Sequence, residues 1–167
     1  MGWTKEQQQA IDLDDKNILV SAAAGSGKTA VLVERVVSHL LRPLEENTPE
    51  AEKPWSVDEL LVVTFTKAAA AEMSDRIGQR LQKAIAQELE NIPPNKALIS
   101  RLQRQIILLA GASISTIDSF CQSIIKNNFA DIDLDPRFRV ANENELILLQ
   151  QEVLDEIFEN RYAQGDA

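Results

Sequence analysis

Residues 22–29 read Ala-Ala-Ala-Gly-Ser-Gly-Lys-Thr, and these types at this spacing are those of a loop that wraps a polyphosphate. Small residues let consecutive backbone N–H groups around Gly25, Ser26 and Gly27 converge on phosphate oxygens, and a helix starting at once adds its positive end. Lys28 supplies a point charge for β- and γ-phosphates, and Thr29 a hydroxyl for Mg²⁺. Lys28 and Thr29 form the candidate catalytic and metal-holding pair, with Ala22, Ala23, Ala24, Gly25, Ser26 and Gly27 as the rest of the cradle. The usual pattern places glycine where this chain has Ala22, so a negative φ is expected there.

Two further clusters combine hydroxyls with an aromatic ring: Thr64-Phe65-Thr66 and Thr116-Ile117-Asp118-Ser119-Phe120. Hydroxyls and helix N-termini hold phosphates while a ring stacks on a base, a combination suited to single-stranded nucleic acid. Each cluster also has a plainer reading, in which Ser and Thr cap helices and Phe65 or Phe120 fills the core.

These residues need a scaffold, and the chain alternates apolar strands with longer helical stretches as an α/β domain with a mainly parallel sheet does. Thr4 to Gln7 has the form of a capping box opening a short helix, and Asp14 to Asn17 turns the chain into a strand at Ile18 to Ser21. Val33, Val36, Val37, Leu40 and Leu41 recur at helical spacing until Pro43. Residues 43–56, with three prolines and several glutamates, read as an exposed connector. A second strand is expected at Leu60 to Thr64. The helix after it carries Met73, Ile77, Leu81 and Ile85 on one face, and Pro93-Pro94 closes that excursion. Lys96 to Leu109 reads as helix, Ser113 to Ile117 as a third strand, and Asp118 to about Phe129 as a helix with Phe120, Ile124 and Ile125 inward. Phe138 to Val140 reads as a short strand before an amphipathic helix from about Asn142 to Tyr162, with Leu146, Leu149, Val153 and Ile157 as its stripe. All three main strand ends, with their clusters, are expected on one rim, where open parallel sheets bind ligands.

Composition narrows the class. The 167 residues suggest one domain with 44% hydrophobic and 26% charged residues, an ordinary globular balance. A lone cysteine, Cys121, excludes an internal disulfide and a multi-thiolate metal site. No signal segment or membrane span is legible, so the expected setting is a reducing cytoplasm without membrane association. The net charge of −9 argues against a protein that coats nucleic acid generally, while leaving room for a local groove.

Four segments resemble those of superfamily 1 DNA helicases of the UvrD/Rep type, in the family's order. Trp3 to Gln7 is similar to its Q motif, Ala22 to Thr29 to motif I, Val63 to Thr66 through Ala69 to Met73 to motif Ia, and Ser115 to Phe120 to motif Ib. Residues 21–35 and 133–140 are worded most like the AddA (RexA) helicase-nuclease branch of double-strand-break repair and recombination. The resemblance implies an incomplete RecA-like P-loop NTPase domain over residues 1–140 and the start of an inserted helical subdomain over 141–167. It implies ATP with Mg²⁺ as cofactors, Gln7 as reader of the adenine edge, and Thr64, Phe65, Thr66, Thr116 and Ser119 along a single-stranded DNA path. It further implies single- and double-stranded DNA substrates and an AddB/RexB-type partner subunit. Gln7 also fits a capping box alone, and the two roles are compatible.

The departures are informative. Ala30 replaces an arginine that packs on adenine in many relatives, Lys67-Ala68 stands where many read Asn-Lys or Asn-Ala, and Asp118 replaces a frequent histidine. No Asp-Glu pair follows an apolar strand after Ser119, and Asp155-Glu156 falls within a helical pattern. The chain therefore reads as an amino-terminal piece of a larger helicase-nuclease, inactive alone. A P-loop kinase of a small metabolite and a non-catalytic nucleotide-binding module are the alternatives.

Overall fold

The computed structural model describes residues 2–14, 17–44, 48–49, 53–135 and 137–165. The expected turn residues Asp15 and Lys16, the connector glutamates Glu45, Glu46, Glu50 and Glu52, and Pro136 lie outside them. Eight longer elements follow in order: helices α1 (Lys5–Asp12) and α2 (Lys28–Leu41), strand β1 (Leu61–Thr64), helices α3 (Lys67–Leu89) and α4 (Lys96–Leu109), strand β2 (Ser113–Thr116), and helices α5 (Ile117–Asn127) and α6 (Glu143–Ala163). The chain separates into two compact units, Met1–Ser123 and Ile124–Ala167.

Local chemistry explains most boundaries in the first unit. Thr4 and Gln7 form both arms of the capping box of α1, satisfying amides that a helix start leaves without partners. Helix α2 stops at Leu41 because Arg42 precedes Pro43 and takes extended backbone. Thr66 and Asn95 cap α3 and α4 through their side-chain oxygens. A 3₁₀ turn, Val57–Glu59, leads into β1 and sends the buried Val57 inward.

The core lies where α2, α3 and α4 meet one another and the sheet. Val33, Val36, Val37 and Leu40 of α2 pack with Met73, Ile77 and Leu81 of α3, Leu102 of α4 and Val62 of β1. Burying such side chains contributes about 1.5–3 kcal/mol each relative to leaving them in water. Helix α1 is anchored by Ile11, which is buried.

The sheet is parallel but small. β1 and β2 pair in register from Leu61 with Ser113 to Thr64 with Thr116. The expected strand at Ile18 to Ser21 does not form: the segment is irregular, and Leu19 is 95% exposed. Strand structure needs a hydrogen-bonded neighbour, and among the described residues the ladder joins β1 to β2 alone. An apolar run supplies the side chains of a strand without supplying its partner.

Three other expectations are corrected. Helix α5 buries no residue: Phe120 and Ile125 are partly covered and Ile124 is exposed. In the second unit Phe138 to Val140 forms no strand, again without a pairing partner. Helix α6 runs from the capping box of Asn142 and Glu145, but Leu146, Leu149, Val153 and Ile157 are all about half exposed. Ile147, Leu148, Leu154 and Phe158 are exposed too, so the apolar arc is broader than one stripe.

Candidate functional site

The loop before α2 gets its shape from two glycines. Gly25 and Gly27 have φ of 77° and 82°, the left-handed region in which a Cβ is strained. Among the described residues Asp133 is the one non-glycine with positive φ, so Ala22 keeps ordinary backbone as its side chain requires. Gly27 is also the N-cap of α2 and brings no side chain to it. The first-turn amides of the helix are thereby left facing the loop. Lys28 Nζ donates to the carbonyls of Ala22 and Ala23 at 2.8 and 2.7 Å, so its ammonium lies within the loop. Thr29 is exposed in the first turn.

Gln7 reaches the same loop from α1. Its Oε1 accepts from the Thr4 backbone N–H at 2.9 Å, and its Nε2 donates to the Ser26 carbonyl at 3.2 Å. Ala30 opens on a groove of about 420 Å³ that Trp3, Glu34, Arg76 and Gln79 help to line. Arg80 also lines that groove and forms a two-point ion pair with Glu34 at 2.8 and 2.9 Å, joining α3 to α2.

Farther along α2 is a polar cluster that the sequence reading missed. Arg35 Nη1 donates to the carbonyls of Ala10, Ile11 and Leu13, closing the end of α1. Its guanidinium carbon lies 5.6 Å from the centre of the Trp55 ring, which stacks on His39 at 3.6 Å. His39 is 1% exposed, with Nε2 3.2 Å from Asp14 but outside hydrogen-bond geometry. Burial and the neighbouring Arg42 push its pKa down to about 4, against the opposing pull of Asp14. Arg42 pairs with the same Asp14. The signal available in the sequence was a lone histidine on the apolar face of α2. Its stacking partner lies across the connector, where no periodicity points to it.

The sheet brings the second and third clusters together, because Thr64 and Thr116 are register partners at the carboxyl ends of parallel strands. The phosphate loop is not joined to that sheet by any ladder among the described residues. Phe65 follows Thr64 and is fully exposed, so it does not fill the core. The Thr64 hydroxyl donates to the Thr66 carbonyl at 2.9 Å, and the Thr66 hydroxyl accepts from the Ala69 N–H at 3.1 Å. Thr116 is buried, and its hydroxyl donates to Ser119 Oγ at 2.9 Å while accepting the Ser119 N–H at 3.2 Å. Capping therefore occupies Thr116, whereas Ser119 Oγ keeps its own proton to donate. Asp118 is an exposed acid in the first turn of α5, where the helix dipole favours negative charge.

Asp155 and Glu156 lie inside α6, and no group of three or more His, Cys, Asp or Glu side chains is placed to hold a metal among the described residues. Nor is any described helix long and apolar enough to cross a membrane.

A glycine-shaped loop opening a helix, in a chain that also forms a parallel sheet with a hydroxyl-lined end, describes a P-loop α/β protein. The UvrD/REP helicase N-terminal domain model matches residues 3–167, and the chain belongs to that family. It is 50% identical over 163 residues to an ATP-dependent helicase/nuclease subunit of Lachnoclostridium phytofermentans, covering 98% of this chain and 11% of that protein. The proteins of the same name from Clostridium novyi and Clostridium beijerinckii are 54% identical over 160 residues and 51% over 164, covering 96% and 98% of this chain. The chain spans about 12% of the length of these two relatives. This kinship with helicase/nuclease subunits leaves the small-metabolite kinase without support.

Proposed function

We propose that this chain is the ATP-holding and part of the single-stranded-DNA-holding portion of an AddA-type ATP-dependent helicase/nuclease that acts in double-strand-break repair and recombination. The observation that carries the reading is the loop itself: two left-handed glycines, an ammonium turned into the loop, and an uncapped helix start aimed at it. A triphosphate fits this cradle because its oxygens accept from amides and lysine alike. Ala22 to Gly27 would wrap the phosphates, Lys28 would serve the β- and γ-phosphates, Thr29 would hold Mg²⁺, and Gln7 would meet the adenine edge. When bound, Mg²⁺ supplies neutralisation of the charge that develops on the transferring phosphoryl group.

The exposed Phe65 ring supports a stacking role on a base, and the hydroxyls of Thr66 and Ser119, which keep a proton to donate, suit backbone phosphates, while Thr64 spends its proton on the Thr66 carbonyl and would shape the turn. Thr116 acts there through Ser119 by fixing the turn. DNA in single- and double-stranded form, a cytoplasmic setting and an AddB/RexB-type partner belong to the same proposal. Residues 141–167 would begin a helical subdomain inserted into a RecA-like motor domain over 1–140.

The chain by itself is expected to hydrolyse ATP negligibly, because no Asp-Glu pair follows a strand to activate water. The test is ATP binding and turnover by the intact protein and by this chain, each with and without single-stranded DNA. Binding by both with DNA-stimulated turnover only in the intact protein is expected. Failure of the intact protein to bind ATP refutes the nucleotide site, and DNA-stimulated turnover by the chain alone refutes its inactivity.

A further inference from the structure

We propose that Gln7 is a positioning residue of the phosphate loop, setting the direction of the Gly27 N–H independently of any contact with a base. The inference rests on the nucleotide-site reading above. Both ends of the Gln7 carboxamide are engaged: Oε1 accepts from the Thr4 N–H at 2.9 Å, and Nε2 donates to the Ser26 carbonyl at 3.2 Å. The reverse orientation would set oxygen against oxygen at Ser26 and nitrogen against nitrogen at Thr4, so the two partners fix which way the amide points.

What Nε2 holds is a peptide plane. The Ser26 carbonyl and the Gly27 N–H belong to one planar trans unit and point in opposite directions. Holding the oxygen toward α1 therefore aims the hydrogen away from it. That N–H immediately precedes Lys28, among the amides a polyphosphate would meet. Gly27 is also one of two left-handed residues in the loop, and a Cβ built on it would lie 3.5 Å from Gln7 Nε2. The side chain thus sits against the residue whose orientation it sets.

The anchor behind Gln7 is firm. Ile11 is buried, and Arg35 ties the last carbonyls of α1 to α2. Helix α1 is thereby fixed to the body of the helix that the loop opens. Nε2 has a second hydrogen, so a role toward the base is compatible with the clamp.

Inorganic tripolyphosphate separates the two roles because it has phosphates and no base. In the intact protein, calorimetric titration with tripolyphosphate and with ATP is compared for wild type, Gln7→Ala and Thr4→Ala, with the melting temperature of each. Gln7→Ala should weaken both ligands by a similar factor, about three- to tenfold for one neutral hydrogen bond, leaving the ratio of the two affinities unchanged. Thr4→Ala, which removes the capping hydroxyl but keeps the contact with Ser26, should leave tripolyphosphate affinity within about twofold, since it disturbs the cap alone. Loss of ATP affinity alone in Gln7→Ala would overturn the inference in favour of base reading. Equal weakening of tripolyphosphate by Thr4→Ala would overturn it in favour of helix capping. A wild-type protein that binds neither ligand would remove the nucleotide site, and the clamp with it.

Discussion

Helix α2 begins in a loop whose polar contacts are exposed to water and ends beside a cluster whose polar groups are largely buried. At the start, the Lys28 ammonium rests on the exposed carbonyls of Ala22 and Ala23, from which an anionic ligand could draw it. Toward the end, Arg101 donates to the carbonyls of Leu40 and Arg42, and His39 is sealed beneath Trp55. An exposed hydrogen bond is exchanged for one to water or ligand at little cost, whereas a buried polar group that loses its partner costs about 1–3 kcal/mol. One helix therefore combines an adaptable front with a fixed rear. Changes at the front should alter binding without altering stability, and changes at the rear should do the reverse.

The largest effect expected tests the front. Lys28→Ala in the intact protein should eliminate detectable ATP turnover and weaken triphosphate binding by about 3 kcal/mol or more, the worth of a charge-assisted contact, with an unchanged melting temperature. ATPase rates equal to wild type at saturating single-stranded DNA would break the contrast at its functional end.

At the rear the lever is pH. His39 in the folded chain has its pKa pushed down to about 4 by burial and by Arg42, with Arg35, Asp12 and Asp14 as further charged neighbours. An unfolded histidine titrates near 6.5, so between those values the unfolded state takes the proton first and stability decreases as the pH is lowered. The contribution should be fully present above about pH 6.5 and lost as pH falls through about 4, on the order of 3 kcal/mol in all. Chemical denaturation of wild type and His39→Phe across this window checks it. Phenylalanine can keep the stack on Trp55 and should flatten the slope, and identical slopes would show that His39 is not held neutral.

The rim of the sheet extends the contrast to a second exposed surface. Phe65→Ala in the intact protein should weaken single-stranded DNA binding by about 1–3 kcal/mol with little sequence dependence, and full exposure of the ring predicts no loss of melting temperature. A destabilised variant with no selective DNA defect would put Phe65 back in the core. Smaller effects are expected from Thr66→Ala and Ser119→Ala, about 1 kcal/mol each in DNA affinity, with ATP binding nearly intact. Fluorescence anisotropy with a labelled oligonucleotide measures all three variants.

What the sequence revealed follows the range of the interactions involved. The capping box at Thr4 and Gln7, the bounds of α4 and the ordinary backbone of Ala22 are decided within a few residues, and all were legible. That the ends of β1 and β2 share a rim could be anticipated because parallel strands have one direction, whereas their direct pairing and register could not. Ile18 to Ser21 could not, since pairing depends on a distant partner that an apolar run does not specify. The same limit hid the contact from Gln7 to Ser26, across 19 residues, and the stack of His39 on Trp55. Within the candidate site the loop residues were readable by type, but the division of labour between Thr116, committed to capping, and Ser119, with a proton to spare, required coordinates.

The bare N-cap of α2 makes the site a reporter of its own occupancy. With no side chain over the first turn, the amides of Lys28, Thr29 and Ala30 should trade their hydrogens for solvent deuterium almost as freely as in a disordered peptide, while the interior of α2 resists. An anion seated on the loop would slow those few positions selectively. Mass spectrometry of peptides spanning Ala22 to Val31 could then read nucleotide occupancy directly, even where no turnover takes place.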